Sequence, residues 1–340
     1  MTSSQLIADS QRAATRVAFI SPRAAVRQSG ATILRDAGYE VLEVADLDAA
    51  RSWIEDGHAN LLLVLDVGSD DEDAFSDALS LAREVAGCQP RSRLILVSQA
   101  EGTRAFELVL QRYPTKNFLG FKEGDSVEER DLTLTVAKIL TGEIFGLEPY
   151  LGDGAEIEAR RLRRSDDKPN LVELVEEFAQ QAGCGPQIVQ NLGLASDELI
   201  TNALYNAPVD ADGARRFAKL DRSVPVVLGD DEDVEIKLGF DGKRLGIAVS
   251  DPFGSLRTED VVAQIARCYE RRDEDDQVNL GPGGAGLGLY YFFNVVQHLV
   301  INVDPGKRTE FIGLLEATRS FRRFSKRRKS FNLFDRQGPE

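Results

Sequence analysis

Short apolar runs alternate with stretches of helical spacing through the first half of the chain. The apolar runs lie at Val17–Ile20, Val41–Val44, Leu61–Leu65, Leu94–Val97 and Phe118–Phe121. Apolar residues recur with a helical period over residues 23–37, 47–56, 73–86, 103–112 and 125–141. Strands that alternate with helices of this length predict a parallel sheet covered on both faces. We expect this doubly wound domain over residues 16–142, after a flexible N-terminus of residues 1–15.

Polar residues stand where four of these predicted strands end. In a doubly wound domain of the flavodoxin-like type, groups at the carboxyl ends of the strands face the functional crevice. Those ends carry Ser21, Asp66, Ser98 and Lys122. The set resembles the receiver domain of response regulators over residues 16–142. The resemblance implies that Asp66 is the phospho-acceptor, Ser98 the hydroxyl of the switch and Lys122 the lysine that pairs with the phosphate.

The end of the first strand departs from the receiver pattern. Receivers carry an acidic pair there that helps to hold Mg²⁺, whereas this chain reads Ile20-Ser21-Pro22-Arg23. A hard divalent cation needs several oxygen ligands, and one aspartate is a poor site. We therefore expect a degenerate receiver that serves as a docking or dimerisation surface. If it is a dimerisation surface, the protein forms a homodimer. Phosphorylation of Asp66 by a separate kinase is the alternative, and an ion pair between Lys122 and Asp66 is the simplest structural role.

The second half of the chain has a different pattern. A linker of residues 143–168 is rich in glycine, proline and charge, and its Ile157–Leu162 run is a candidate edge strand. Helical patterns follow over residues 170–182 and 186–207. Two hairpins come next, one turning at Asp241-Gly242 and the other at Asp304-Pro305-Gly306. These elements predict an α/β domain over residues 169–318.

Candidate chemistry concentrates on the second helix and on a glycine run. Asn191, Glu198, Asn202 and Asn206 share one helix face, within about 80° of one another. The run Gly281–Leu289 opens an apolar helix, where backbone amides can approach a phosphate chain. A Rossmann interpretation fails because no hydrophobic strand leads directly into the run. A P-loop interpretation fails because no Gly-Lys-Ser/Thr follows.

Four segments together, in their order along the chain, resemble the GHKL ATPases, which include gyrase and bacterial histidine kinases. They are Asp197–Ala203, Asp251 with Gly254, Gly284–Leu289 and Thr309. The resemblance implies the Bergerat fold, an α/β sandwich with a mixed, largely antiparallel sheet that binds ATP and Mg²⁺. It implies that Asn202 ligates Mg²⁺ and that Asp251, supported by Thr309, binds adenine. Glu198 becomes a general base, and the glycines of the site are Gly254, Gly284, Gly286 and Gly288.

The Glu-Leu-x-x-Asn sequence at Glu198–Asn202 is closest, within that family, to the anti-sigma-factor serine kinases. The resemblance therefore implies phosphorylation of a serine or threonine on a protein partner in a signalling pathway. The alternative is a non-catalytic nucleotide-binding regulator or scaffold that acts by protein–protein interaction. His58 and His298, the two histidines, lie outside any dimerising helical pair, so a histidine autokinase is not expected. The insert of residues 209–222 is longer and more charged than the family pattern.

Composition and charge exclude several classes of protein. The 340 residues carry a net charge of −15, which argues against sequence-independent binding to nucleic acid, and we expect no sequence-specific nucleic-acid partner. The apolar runs are too short for a transmembrane segment, the N-terminus has no signal-peptide pattern, and three cysteines lack metal-ligand spacing, so we expect a cytoplasmic protein. Residues 319–340 form a basic C-terminal tail, either folded back on the acidic body or docked on an acidic surface.

Overall fold

The chain folds into two units. The computed structural model describes residues 16–55, 62–68, 72–88, 93–99, 115–121, 127–258, 260, 261, 265, 287–321, 324 and 327–336. The chain divides into a first unit, Met1–Glu143 with Arg328–Phe331, and a second unit, Ile144–Arg327 with Asn332–Glu340.

The first unit contains a parallel sheet with helices between its strands. Its strands are β1 (Arg16–Ile20), β2 (Glu40–Val44), β3 (Leu62–Asp66), β4 (Arg93–Ser98) and β5 (Asn117–Gly120), in the order β2-β1-β3-β4-β5. Its described helices are α1 (Ala24–Asp36), α2 (Leu47–Glu55), α3 (Glu72–Cys88) and α4 (Glu129–Thr141). All neighbouring strands of this set pair in parallel. Their order, 2-1-3-4-5, is that of flavodoxin-like domains. The prediction of a doubly wound sheet is confirmed, and the helix predicted over residues 103–112 lies outside the described residues.

The core of the first unit explains why these strands are apolar throughout. β1 and β3 are covered on both faces, as central parallel strands must be, so nearly every residue in them is buried. One face packs Phe19 and Val64 against Leu34 of α1 and Leu132 of α4. α1 contacts α4, and α2 contacts α3. The carboxyl ends of the strands therefore sit on a rigid support.

The second unit has an antiparallel sheet. Its strands are β6 (Glu156–Leu162), β7 (Val234–Phe240), β8 (Arg244–Asp251), β9 (His298–Asp304) and β10 (Arg308–Glu316), in the order β9-β10-β8-β7-β6. Its described helices are α5 (Lys168–Gln181), α6 (Pro186–Thr201) and α7 (Leu287–Val295). Both predicted hairpins and the predicted strand at Ile157–Leu162 are present. The described helix α6 contacts both α5 and α7.

The end of α6 differs from the predicted continuous helix to residue 207. The α-helix stops at Thr201, and a π-helical turn covers Asn202–Asn206. Such turns are frequent at functional sites, because they redirect side chains within an otherwise regular helix. This turn carries two of the polar residues predicted to face a ligand.

The stretch 143–168, interpreted above as a linker, belongs to the second unit from Ile144 onward and contributes to its core. Within them lie β6, a 3₁₀ turn at Glu148–Tyr150 and a second one at Ser165–Asp167. Leu147, Tyr150 and Leu151 are buried. Gly246 makes room for Leu147, since a Cβ there would lie 2.5 Å from Cδ1 of Leu147, and Gly239 makes room for Leu151 in the same way, since a Cβ there would overlap its Cδ1.

The basic stretch after residue 319 contains a strand that the charge pattern did not suggest. β11 spans Ser330–Asp335, and Phe331, Leu333 and Phe334 in it are buried. In the first unit, the amide of Gly120 donates to Oγ of Ser330 over 3.1 Å. In the second unit, Nε2 of His298 lies 2.6 Å from Oδ1 of Asn332. Among the residues that the structure describes, no helix has the length and apolar character of a membrane span.

Candidate functional site

The crevice of the first unit is built around a buried carboxylate. Asp66 is the last residue of β3 and is 2% exposed. Its Oδ2 accepts hydrogen bonds from Oγ of Ser21 at 2.6 Å and from Nε of Arg23 at 2.9 Å. Its Oδ1 accepts from Nη2 of Arg23 at 2.5 Å and from the amide of Gly68 at 3.0 Å. The predicted phospho-acceptor is therefore already bound to an arginine of its own chain.

Arg23 reaches further than Asp66. Its Nη1 donates to Oε1 of Gln99, the residue after β4. Its Cζ lies 6.0 Å from the ring centre of Phe121, which follows β5. The side chain thus contacts residues at the ends of three strands. The sequence alone predicted no role for Arg23; the one signal for it is a cation at a place where receivers carry an acidic pair.

Ser98 and Lys122 complete the predicted receiver set. Ser98 ends β4, is 1% exposed, and its Oγ donates to the carbonyl of Gly68 over 3.0 Å. Asp66 and Ser98 therefore both hold the Gly68 loop. Lys122 lies outside the described residues. Among the described residues no group of three His, Cys, Asp or Glu side chains could hold a metal ion. Both oxygens of Asp66 already accept hydrogen bonds from Arg23, Ser21 and Gly68, which is a poor fit to a divalent cation.

In the second unit, Asp251 and Thr309 lie opposite each other in the antiparallel ladder of β8 and β10. Asp251 is 5% exposed and Thr309 is 1% exposed. Burial raises the pKa of Asp251 to about 7, against smaller opposing effects of the Phe253 and Gly254 amides. Among the described residues Oγ1 of Thr309 makes no hydrogen bond of standard geometry, although the hydroxyl lies close enough to the Asp251 carboxylate to oppose the rise in its pKa. Two buried polar groups thus stand side by side, each able to accept a further donor.

Gly254 fixes the loop that follows Asp251. Its φ is +57°, and its carbonyl accepts a hydrogen bond from the amide of Gly306 over 3.1 Å. A Cβ at this position would lie 2.6 Å from the amide nitrogen of Lys307 and 2.7 Å from that of Gly306. The glycine is needed because the loop packs backbone to backbone against the β9–β10 turn.

The second cluster lies at the end of α6. Oδ1 of Asn202 accepts from Nδ2 of Asn206 at 2.6 Å, and Nδ2 of Asn202 lies 3.5 Å from Oε1 of Glu198. Gly288 of α7 packs directly on the Glu198 side chain. Oγ of Ser255 donates to the carbonyl of Ala207 over 2.7 Å, which joins this cluster to the loop after Asp251. Gly284 and Gly286, predicted for the same site, lie outside the described residues.

The insert of residues 209–222 supplies a cation, Arg222, for which the sequence alone predicted no role. Nη1 of Arg222 donates to Oε2 of Glu198 over 3.1 Å. The backbone at Arg222 and just after it is anchored, because the hydroxyl of Tyr205 donates to the carbonyls of Arg222 at 3.2 Å and of Val224 at 2.9 Å. The carboxylate predicted to act as a general base is therefore ion-paired in this structure.

A cleft of about 340 Å³ opens beside the end of β8. Of the residues predicted to bind the nucleotide, it is lined by Asp251, whereas Asn202 and Thr309 are not among its lining residues. Its other walls are Arg161, Asp230, Asp231, Asp233, Glu235, Ser250, Pro252, Lys307 and Arg308. The predicted residues thus form two clusters, Asp251 with Gly254 and Thr309, and Glu198 with Asn202 and Gly288.

Comparison with known proteins gives a limited result. No protein-family model matches the chain, and no curated protein matches it. Among solved structures, a CheY-like receiver domain protein from Methanospirillum hungatei JF-1 is 20% identical and covers 38% of this chain and 94% of its own, with a TM-score of 0.31. A receiver domain protein from Clostridium thermocellum is 14% identical over 38% of this chain and 96% of its own, with a TM-score of 0.31.

A third structure covers more of the chain. NtrX from Brucella abortus, in complex with ATP, is 17% identical over 54% of this chain and 40% of its own, with a TM-score of 0.31.

Proposed function

We propose that the second unit binds ATP with Mg²⁺ and that the chain is a signalling protein. The observation that carries the proposal is the buried pair of Asp251 and Thr309, held in register by β8 and β10. Burial of a carboxylate such as Asp251 is costly, and a ligand that donates a hydrogen bond to it recovers part of that cost. The exocyclic amino group of adenine is such a donor, and the Thr309 hydroxyl adds a second polar contact.

The cluster at the end of α6 fits the other end of the same ligand. Mg²⁺ in proteins is usually held by one or two side-chain oxygens together with phosphate oxygens and water. Oδ1 of Asn202 and the carboxylate of Glu198 supply oxygens of this kind, and both lie within one turn of helix. The hydrogen bond between Ser255 and Ala207 ties this turn to the loop that positions Asp251. ATP, when bound, supplies the phosphoryl group.

In the catalytic form of this proposal, Glu198 accepts the hydroxyl proton of a serine or threonine on a protein partner. A carboxylate can do this when it lies within hydrogen-bond reach of that hydroxyl. The first unit serves as a docking surface for a signalling partner. The anti-sigma-factor kinase resemblance of Glu198–Asn202 supports this form.

Calorimetric titration with a non-hydrolysable ATP analogue and Mg²⁺ tests nucleotide binding. We expect one site per chain, with affinity at least about tenfold weaker in Asp251→Asn and in Asn202→Ala, a loss of about 1.4 kcal/mol. Gln190→Ala is the matched control, because Gln190 is exposed and lies about three turns earlier on the same helix, outside the set of candidate site residues. Absence of binding by the wild-type chain, or equal binding by all four proteins, would overturn the proposal.

A non-catalytic nucleotide-binding regulator is the second candidate, and the ion pair between Arg222 and Glu198 favours it. The Arg222 guanidinium occupies one oxygen of this carboxylate, so a substrate hydroxyl would have to displace it or use the other oxygen. Incubation with labelled ATP and candidate partners separates the two functions. If the chain is a kinase, Glu198→Ala abolishes transfer to the partner and Arg222→Ala preserves or raises it. Background-level transfer by all three proteins, with nucleotide binding intact, identifies the regulator.

A further inference from the structure

Every lone-pair direction of Asp66 is occupied by a donor of the first unit. An ionised carboxylate offers about four acceptor positions. Nη2 of Arg23 and the Gly68 amide take Oδ1, at 2.5 and 3.0 Å. Nε of Arg23 and the Ser21 hydroxyl take Oδ2, at 2.9 and 2.6 Å. Neither oxygen is left open to coordinate a cation or to attack phosphorus.

Arg23 forms the two-point contact that a carboxylate binds most tightly. The guanidinium presents parallel N–H groups that match both oxygens, and it stays charged at every pH at which proteins are folded. The Asp66 side chain is fully buried and that of Arg23 is 28% exposed, so water screens the pair little. Removal of one partner would leave the other as a buried, uncompensated charge.

The backbone around Arg23 holds the arginine in this place. Arg23 directly precedes α1, and its amide donates to Oγ of Ser21 over 3.1 Å. Nη1 of Arg27, one turn further along, donates to the carbonyl of Ser21 over 2.6 Å. The Ser21–Arg23 turn is thus fixed by its own hydrogen bonds. The backbone therefore holds the Arg23 guanidinium beside Asp66.

We propose that Arg23 replaces the divalent cation in this crevice and makes the first unit insensitive to Mg²⁺ and to small phosphodonors. The arginine supplies the positive charge beside Asp66 and, through Gln99 and Phe121, also braces the ends of β4 and β5. Ser98 is engaged with the Gly68 carbonyl. The inference concerns the first unit alone and is independent of nucleotide binding by the second.

The test uses the full chain without nucleotide and titrates Mn²⁺ as the probe. We expect no difference in Mn²⁺ binding between the wild type and Asp66→Asn, because Asp66 is closed to cations. Arg23→Ser opens the carboxylate, so we expect Mn²⁺ affinity at least about tenfold above that of the wild type, equal to about 1.4 kcal/mol. This gain disappears in the double variant Arg23→Ser/Asp66→Asn. Arg35→Ser is the matched control, since Arg35 lies on α1 and pairs with Glu43.

A second measurement stands even if Arg23→Ser folds poorly. Acetyl phosphate with Mg²⁺ should not label the wild-type chain at Asp66. Urea unfolding, followed by hydrogen exchange at β1 and β3, reports the stability of the first unit. We expect Arg23→Ser to be less stable than the double variant Arg23→Ser/Asp66→Asn. Labelling of the wild type that is lost in Asp66→Asn, Mn²⁺ binding that depends on Asp66, or equal cation binding by the wild type and a folded Arg23→Ser would each overturn the proposal.

Discussion

Gly288 leaves the space in which the Glu198 side chain lies. A Cβ added at Gly288 would overlap Cγ of Glu198 and stand 2.6 Å from its Oε1. α6 and α7 therefore meet so closely at this point that a methyl group and the Glu198 side chain compete for the same volume. The carboxylate is positioned by helix packing as well as by its ion pair with Arg222.

Gly288→Ala should destabilise the second unit, although alanine is the better helix former. Overpacking of this kind costs about 1 to 3 kcal/mol. The double variant Gly288→Ala/Glu198→Ala should recover most of that loss, because Glu198→Ala removes the clashing atoms. Hydrogen exchange at α6 and α7 measures both effects. Additive losses in the double variant would show that the two residues do not compete for space.

Asp251 should make the second unit less stable as the pH rises. Its folded pKa of about 7 lies above its ordinary value of 3.8, so the folded state binds more protons than the unfolded state between those values. The free energy of unfolding therefore falls from about pH 4 to pH 7 and then levels off. Between pH 5 and pH 8 we expect Asp251→Asn to gain about 2 to 3 kcal/mol relative to the wild type. Urea unfolding of both proteins, followed by hydrogen exchange at β8 and β10, checks this. A free energy of unfolding that depends on pH in the same way in the wild type and in Asp251→Asn would contradict it.

Affinity for the ATP analogue should depend on the same group. The ionised carboxylate accepts a hydrogen bond from the adenine amino group, so binding should tighten as the pH rises from about 6 to about 8. Asp251→Asn cannot titrate and should show a flatter profile over that range. Calorimetry at fixed ionic strength makes the comparison. A pH profile that is the same in both proteins would place adenine away from Asp251.

Gly254 and Gly306 form a matched pair of left-handed glycines, with φ of +57° and +71°. Alanine at Gly306 meets no heavy atom within 4 Å, so Gly306→Ala should cost about 1 kcal/mol of backbone strain. Alanine at Gly254 adds a collision with the Lys307 and Gly306 amides and should cost distinctly more. It should also weaken binding of the ATP analogue, because the loop positions Asp251. Chemical unfolding and titration of both variants measure the difference, and similar losses would remove the packing argument.

Local patterns were enough for the elements but not for the pairings between distant residues. The apolar runs that became β1 and β3 predicted their strands because those strands are buried on both faces. Arg23 could not be matched to Asp66, since the two are 43 positions apart and nothing local marks an arginine that turns inward. β11 was missed because the preceding basic residues dominated the interpretation of its segment. Arg222 was missed for the same reason as Arg23: its partner lies 24 positions away.

The segment of residues 144–151 has a practical consequence for truncation. Leu147 lies over Gly246, and the amide of Gly146 donates to Oε2 of the buried Glu310 over 2.9 Å. A recombinant fragment that starts at residue 169 would strip this cover, expose an apolar sheet face to solvent and leave Glu310 without one of its donors. Such a fragment should be less stable and aggregate more readily than one that starts at residue 144. Failure of the shorter fragment to bind nucleotide would therefore reflect the cut and not the site.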